Sequence, residues 1–126
     1  MYGMIGKFSA VPGKRDELIS YLLGGIQEMP GCLSYVVARD PKDPDAVWIS
    51  EVWRDKESHR ASLELPSVRA AIQKAKPIIA RFDQHVEVEP VGGWGCRLRR
   101  SNELSYTPGT ILRSRTAPSP SAFSAA

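Results

Sequence analysis

Cysteine and histidine are scarce in this sequence, two of each among 126 residues, and their spacing excludes as much as their number. Cys32 and Cys96 stand far apart with no Cys-x-x-Cys step, so neither a zinc site nor a disulfide framework is indicated. His59 and His85 lack the near spacing that sets two metal ligands on one helical face. A phosphate-binding glycine loop is also missing, because Gly92-Gly93-x-Gly95 opens no helix. No Ser-x-x-Lys or Gly-x-Ser-x-Gly element supplies an activated serine. Nothing resembles a flavin or nicotinamide fingerprint, so chemistry without a metal or a tightly bound cofactor is expected. No stretch approaches the roughly 20 apolar residues of a membrane span. The first ten residues lack the positive start and apolar run of a secretory signal. A soluble, cytoplasmic protein with no membrane partner is expected.

Charge, too, lacks a focus. The formal net charge of +3 invites a nucleic-acid reading. Yet residues 1–96 hold twelve Lys and Arg against thirteen Asp and Glu, while residues 97–126 hold five arginines against Glu103. With no aromatic residues interleaved on a basic face, no nucleic-acid partner is expected. Residues 96–126 are rich in Arg, Ser, Pro and Thr and have no sustained apolar period. They are expected to be a disordered tail, since they bury too little surface to offset their ordering entropy. Residues 1–95 read as one domain, long enough for a core without staples.

What is present is a regular succession of periodicities. Tyr2–Ala10 alternates as a strand, with Tyr2, Met4, Gly6 and Phe8 on one face. Gly6 leaves a gap there, open to a ligand, another backbone or a bulky neighbour. Pro12-Gly13 turns the chain. Leu18, Leu22, Ile26 and Met29 then repeat at helical spacing, from Lys14 until Pro30-Gly31. Gly24-Gly25 weakens that helix's last turn by about 1 kcal/mol per glycine relative to alanine. Cys32–Arg39 reads as a strand apolar on both faces, with Leu33, Tyr35, Val37 and Arg39 grouped on one of them. Asp40–Asp45 is a loop by its turn chemistry, and Val47–Trp53 is a second buried strand. Lys56–Leu63 reads as a short polar helix carrying His59. Leu65-Pro66-Ser67 stops it and starts another through Ala75, since proline suits a first helical turn and not an interior. Phe82–Val88 is the last strand, with Phe82, Gln84, Val86 and Val88 on an apolar face and Asp83, His85, Glu87 and Glu89 on a wet one.

The order βαββαβ predicts an α+β, ferredoxin-like fold, a four-stranded antiparallel sheet with helices on one face. Strands that are apolar on both sides leave the helix-free face in need of cover. A second copy laid sheet against sheet supplies it, so a homodimer is expected.

The densest pattern is Ala46–Val68, where Glu51-x-Trp53 ends a strand, a short helix follows, and Leu63-x-x-Pro66 closes it. Ile5-Gly6-Lys7-Phe8, Pro12-Gly13-Lys14, Pro30-Gly31-Cys32-Leu33-Ser34-Tyr35 and the pairs Asp40-Pro41 and Asp43-Pro44 stand with it in order. Residues 1–92 thereby resemble the antibiotic biosynthesis monooxygenase family, and within it the quinol-monooxygenase-like members. The resemblance implies a dimeric α+β barrel with a substrate pocket between sheet and helices in each subunit. It also implies oxidation of a small hydroxylated aromatic or quinol by dioxygen without a cofactor. Trp53 takes the family's strand-end tryptophan and would line the pocket beside Tyr35, whose hydroxyl would orient a phenol. The Asn, Trp and His of the haem-degrading members fall at Gly6, Ser62 and Ile72, so haem degradation is not implied. The His-Leu-x-x-Pro-His pattern of many quinol-type members reads Ser62-Leu63-Glu64-Leu65-Pro66-Ser67, with both histidines replaced.

Among the residues themselves, His59 is the candidate proton acceptor near neutral pH. Its other reading is an exposed helical residue between Ser58 and Arg60. Glu51, inside an apolar strand, has its pKa raised by burial and serves as a base unless paired; an ion pair with Arg39 on the adjacent strand is the alternative. Ser62 offers a polar contact. Two further functions stay open: a non-catalytic dimeric module that binds a small metabolite, favoured by the replaced histidines, and an isomerase of a small signalling sugar, from a related branch.

Overall fold

The computed structural model describes residues 1–95, and the tail expected over 96–126 lies outside them. The elements are β1 (Tyr2–Ala10), α1 (Arg15–Gly24), β2 (Cys32–Arg39), β3 (Ala46–Trp53), α2 (Lys56–Ser62), α3 (Pro66–Ala75) and β4 (Ile79–Val88), with a 3-10 turn at Lys76–Ile78. The strands form one antiparallel sheet in the order β2-β3-β1-β4, the ferredoxin-like arrangement that the order of elements predicts. Among the described residues no helix is long and apolar enough to cross a membrane.

Local chemistry sets the helix ends. Asp16 and Glu17 occupy the first turn of α1, where carboxylates oppose the positive end of the helix dipole. The helix stops at Gly24, well short of the expected Met29. A Cβ on Gly25 would lie 2.7 Å from the Ala71 Cβ, so α1 ends against α3 where only a glycine fits. Asp55 caps α2 by accepting the Ser58 backbone N–H at 2.7 Å. Pro66 occupies the first turn of α3, and Pro77 lies in the 3-10 turn that follows it. That turn delivers the chain to β4 at Ile79, ahead of the expected Phe82.

Register corrects two of the expected faces. Cys32 pairs with Trp53 and Ser34 with Val52, which leaves Leu33 as an extra residue in β2. Cys32 therefore shares the face of Tyr35 rather than that of Val36. In β4, Phe82 pairs with Phe8 and Gln84 with Lys7, so Asp83 is an extra residue. The expected apolar stripe of β4 is split: Phe82 joins His85 and Glu87 under the helices, while Val86 and Val88 face the other way. The core lies between sheet and helices around Ala10, Leu18, Val47, Ile49 and Ala75, with Phe8, Leu22 and Tyr35 packed against it. Trp53, Leu18 and Val47 are its largest fully buried side chains.

On the helix-free face the Trp48 indole N–H donates to Asp40 at 2.8 Å, and Lys7 stands 3.8 Å from the same carboxylate. The Trp48 bond first, then the backbone N–H groups of Lys42 and Asp43, hold the Asp40 carboxyl down at about 2 from an ordinary 3.8. A carboxyl held low in the folded state stabilises above its unfolded value, and that contribution fades as pH falls from 3.8 through about 2. Trp48→Phe is expected to move the Asp40 titration upward toward 3.8, read from its carboxyl carbon shift by NMR; an unmoved midpoint assigns the depression to the loop amides instead.

Gly31 joins α1 to β2 at φ +83°, and a Cβ there would meet the Ser58 side chain at 2.5 Å. Gly31→Ala is expected to lower stability by about 1–3 kcal/mol in urea denaturation, from the left-handed backbone and the crowding together. Equal midpoints for variant and parent would show that the turn relaxes without cost.

Candidate active site

Strands and helices do not meet everywhere. Between them lies a chamber of about 300 Å³, at the lower end of the size range of small-molecule sites. Its floor is Met4 and Phe8 of β1, Tyr35 of β2, Ile49, Glu51 and Trp53 of β3, and Phe82 of β4. Its roof is Leu22 of α1, His59 and Ser62 of α2, and Val68 and Ile72 of α3, with Ile26 and Met29 closing the side. The lining is mostly apolar. Its polar groups, apart from Lys76, gather at the end where β3 runs into α2.

His59 stands in that end wall. Its ring lies between Tyr2 and Trp53, with centroids 5.4 Å from each. Burial pushes its pKa below 6.5, opposed by the Glu87 carboxylate, so the neutral imidazole is the form present at pH 7. Ser62, buried one turn on, donates its hydroxyl proton to the His59 carbonyl oxygen at 2.6 Å. Ser62 thus ties itself to the turn that carries His59 and lines the chamber beside it.

Glu51 occupies the floor. The indole N–H of Trp53 donates to its carboxylate at 3.3 Å, and burial raises its pKa against the pull of that bond and of His85. The ion pair expected with Arg39 is absent. Arg39 instead donates from Nε and Nη2 to Asp16 at 3.1 and 3.0 Å on the exposed edge. Register explains this: Arg39 is level with Val47, and Tyr35 is the β2 residue level with Glu51. Four residues, about 13 Å along the strand, separate Arg39 from that level. Tyr35 therefore faces Glu51, and burial, the carboxylate and Cys32 drive its phenol pKa up, leaving it a neutral donor.

Of the other residues singled out in the sequence, Trp53, Ser62 and Ile72 line the chamber and Gly6 does not. The gap over Gly6 is taken by the Phe8 ring, 3.5 Å from where a Cβ would stand. Tyr2 and Met29 went unnoticed as site residues. The alternation of β1 places Tyr2 on the chamber side, and the α1 stripe includes Met29, but neither pattern says where the helices lift off the sheet. Among the described residues no three His, Cys, Asp or Glu side chains gather to hold a metal ion.

No curated protein of known function is significantly similar to the chain. Many solved structures are, among them three that carry one family name. One, from Chloroflexus aurantiacus J-10-fl, is 61% identical over 76% of this chain and 98% of its own, with a TM-score of 0.75. A second, from Deinococcus radiodurans, is 25% identical over 74% of this chain and 95% of its own, at 0.62. The third, from Nitrosomonas europaea, is 15% identical over 73% of this chain and all of its own, at 0.67, a likeness of fold alone. The family's sequence profile matches residues 1–74, more than half of the chain. With its sheet, its chamber and its Glu51-x-Trp53 strand end, the chain belongs to the antibiotic biosynthesis monooxygenase family.

Proposed function

We propose that this protein is a cofactor-independent monooxygenase that oxidises a small hydroxylated aromatic or quinol with dioxygen. The observation that carries the reading is the chamber itself, apolar along its length, with His59, Glu51, Tyr35 and Trp53 converging on one end. In this scheme the substrate hydroxyl loses its proton, and the electron-rich anion passes its electrons to dioxygen, forming a carbon–peroxide bond. The peroxide takes up a proton. Loss of the proton on the same carbon then breaks the O–O bond, giving a quinone and water. Two protons leave the substrate, one from oxygen and one from carbon, so the site needs acceptors that are unprotonated at neutral pH. His59 in its neutral form serves as one of them. The Tyr35 hydroxyl is a donor for developing negative charge in an apolar cavity, while the Trp53 indole N–H is held by Glu51.

The same reading makes the protein a homodimer through its helix-free face. Ile5, Val36, Val86 and Val88 are between 38% and 52% exposed there in the single chain, an apolar patch that a second sheet would cover. Sedimentation of a Val36→Glu, Val86→Glu double variant is expected to show a monomer where the parent sediments as a dimer. A monomeric parent at micromolar concentration removes this part of the proposal.

The replacement of both pattern histidines by Ser62 and Ser67 favours a second reading, a dimeric module that binds a small metabolite without turning it over. Oxygen consumption with a panel of dihydroxynaphthalenes separates the two. Uptake well above buffer, falling about a hundredfold in His59→Ala, is expected of the enzyme. Uptake at the buffer rate, untouched by the substitution, leaves the binding module.

A further inference from the structure

Glu51 is the chamber's other acceptor, and its surroundings say what kind of ligand end can face it. It looks across at Tyr35 and Cys32 on β2 and is level with Met4 on β1. His85 on β4 is close enough to pull the Glu51 pKa down, and His59 on α2 packs on the neighbouring Trp53, with Tyr2 and Glu87 beyond them. Among the described residues no Lys or Arg lies within ion-pair distance of Glu51. Lys76, the one ammonium on the lining, is exposed and lies in the turn that enters β4 at Ile79, which pairs with Ala10, six residues of β1 from the level of Glu51, about 20 Å. Ionised, the Glu51 carboxyl is thus a negative charge with no cation paired to it in a mostly apolar pocket, accepting one indole N–H.

Such a group accepts hydrogen bonds and donates none, and it repels a second anion strongly where the dielectric is low. We infer that Glu51 selects the substrate by charge: the chamber takes a neutral hydroxylated ring whose O–H donates to the Glu51 carboxylate, and it rejects rings bearing an anionic group beside that hydroxyl. The inference rests on reading the chamber as the substrate site. It divides the two proton removals between the two acceptors, with the hydroxyl proton passing to Glu51 and the ring-carbon proton to His59. It also sets the site against phosphorylated sugars, whose anionic end would find no cation near the reacting groups.

The test uses two ligands of one shape class, 2-naphthol and 2-hydroxynaphthalene-1-sulfonate, titrated calorimetrically into the full chain at pH 7.5. The parent is expected to bind the neutral naphthol at least tenfold more tightly. Glu51→Gln keeps an oxygen for the Trp53 N–H and is expected to narrow that ratio to threefold or less, because the steric part of the discrimination remains and the charge part is gone. Glu64→Gln, which removes a charge outside the chamber, should leave the ratio where it was. Should Glu51→Gln fail to fold, 2-methoxynaphthalene, which has no O–H to donate, serves on the parent instead and should bind at least tenfold more weakly than 2-naphthol. Equal binding of the naphthol and the sulfonate by the parent, a ratio unmoved by Glu51→Gln, or a methyl ether bound as tightly as the naphthol overturns the inference. Oxygen uptake reads the other proposal separately. Charge selection without turnover sinks the monooxygenase and leaves this inference, and turnover without charge selection does the reverse.

Discussion

Close packing is the rule in protein interiors, so a chamber of about 300 Å³ under a helical roof must be held open by parts that cannot collapse into it. Here the props are stiff and local. Trp53 and Leu18 fill the space completely where the helices do touch the sheet. Gly25 lets α1 rest directly on Ala71 of α3, so the two roof helices support each other rather than sinking onto the strands. The Asp55 cap and Pro66 fix where α2 begins and where α3 departs from it, which carries His59 and Ser62 over the strand end.

An apolar chamber with polar groups at one end is an electrostatic device as much as a shape. Burial lowers the pKa of His59 and raises that of Glu51, so the two are driven toward each other's range. His59 stands neutral as an acceptor and Glu51 accepts the Trp53 N–H, while Tyr35 remains a donor. A wetter site would relax these shifts and leave an ordinary helical histidine and an ordinary strand glutamate. At the far end Phe8 fills the gap over Gly6, and Phe82, itself exposed, packs edge-on against Phe8 with ring centroids 5.0 Å apart.

Two of the sheet's three bulges have consequences out of proportion to their size. One extra residue at Asp83 turns Phe82 into the chamber and hands Val86 and Val88 to the opposite face. The patch on the helix-free side, and the aromatic plug on the other, come from one irregularity in β4. In β2 the extra Leu33 brings Cys32 round to the side of Tyr35 and Glu51.

Periods of two and of three to four residues, the breaks at Pro30-Gly31 and Pro66, and the Asp-rich loop were enough to predict four strands, their order and a ferredoxin-like sheet, because those signals are local and repeat. The Glu51-x-Trp53 strand end and the position of His59 were legible in the same way, as was the alternation that groups Tyr2, Met4 and Phe8 on one face. Whether Glu51 is paired or bare was not, since Arg39 is kept from it by cross-strand register, which no spacing along one strand encodes. Nor did the α1 periodicity reveal that the helix stops at Gly24, where Gly25 lies against Ala71, far away in sequence. Local patterning determined which elements this chain makes; only their packing decided which side chains share an enclosed space, and so what Glu51 and His59 can do there.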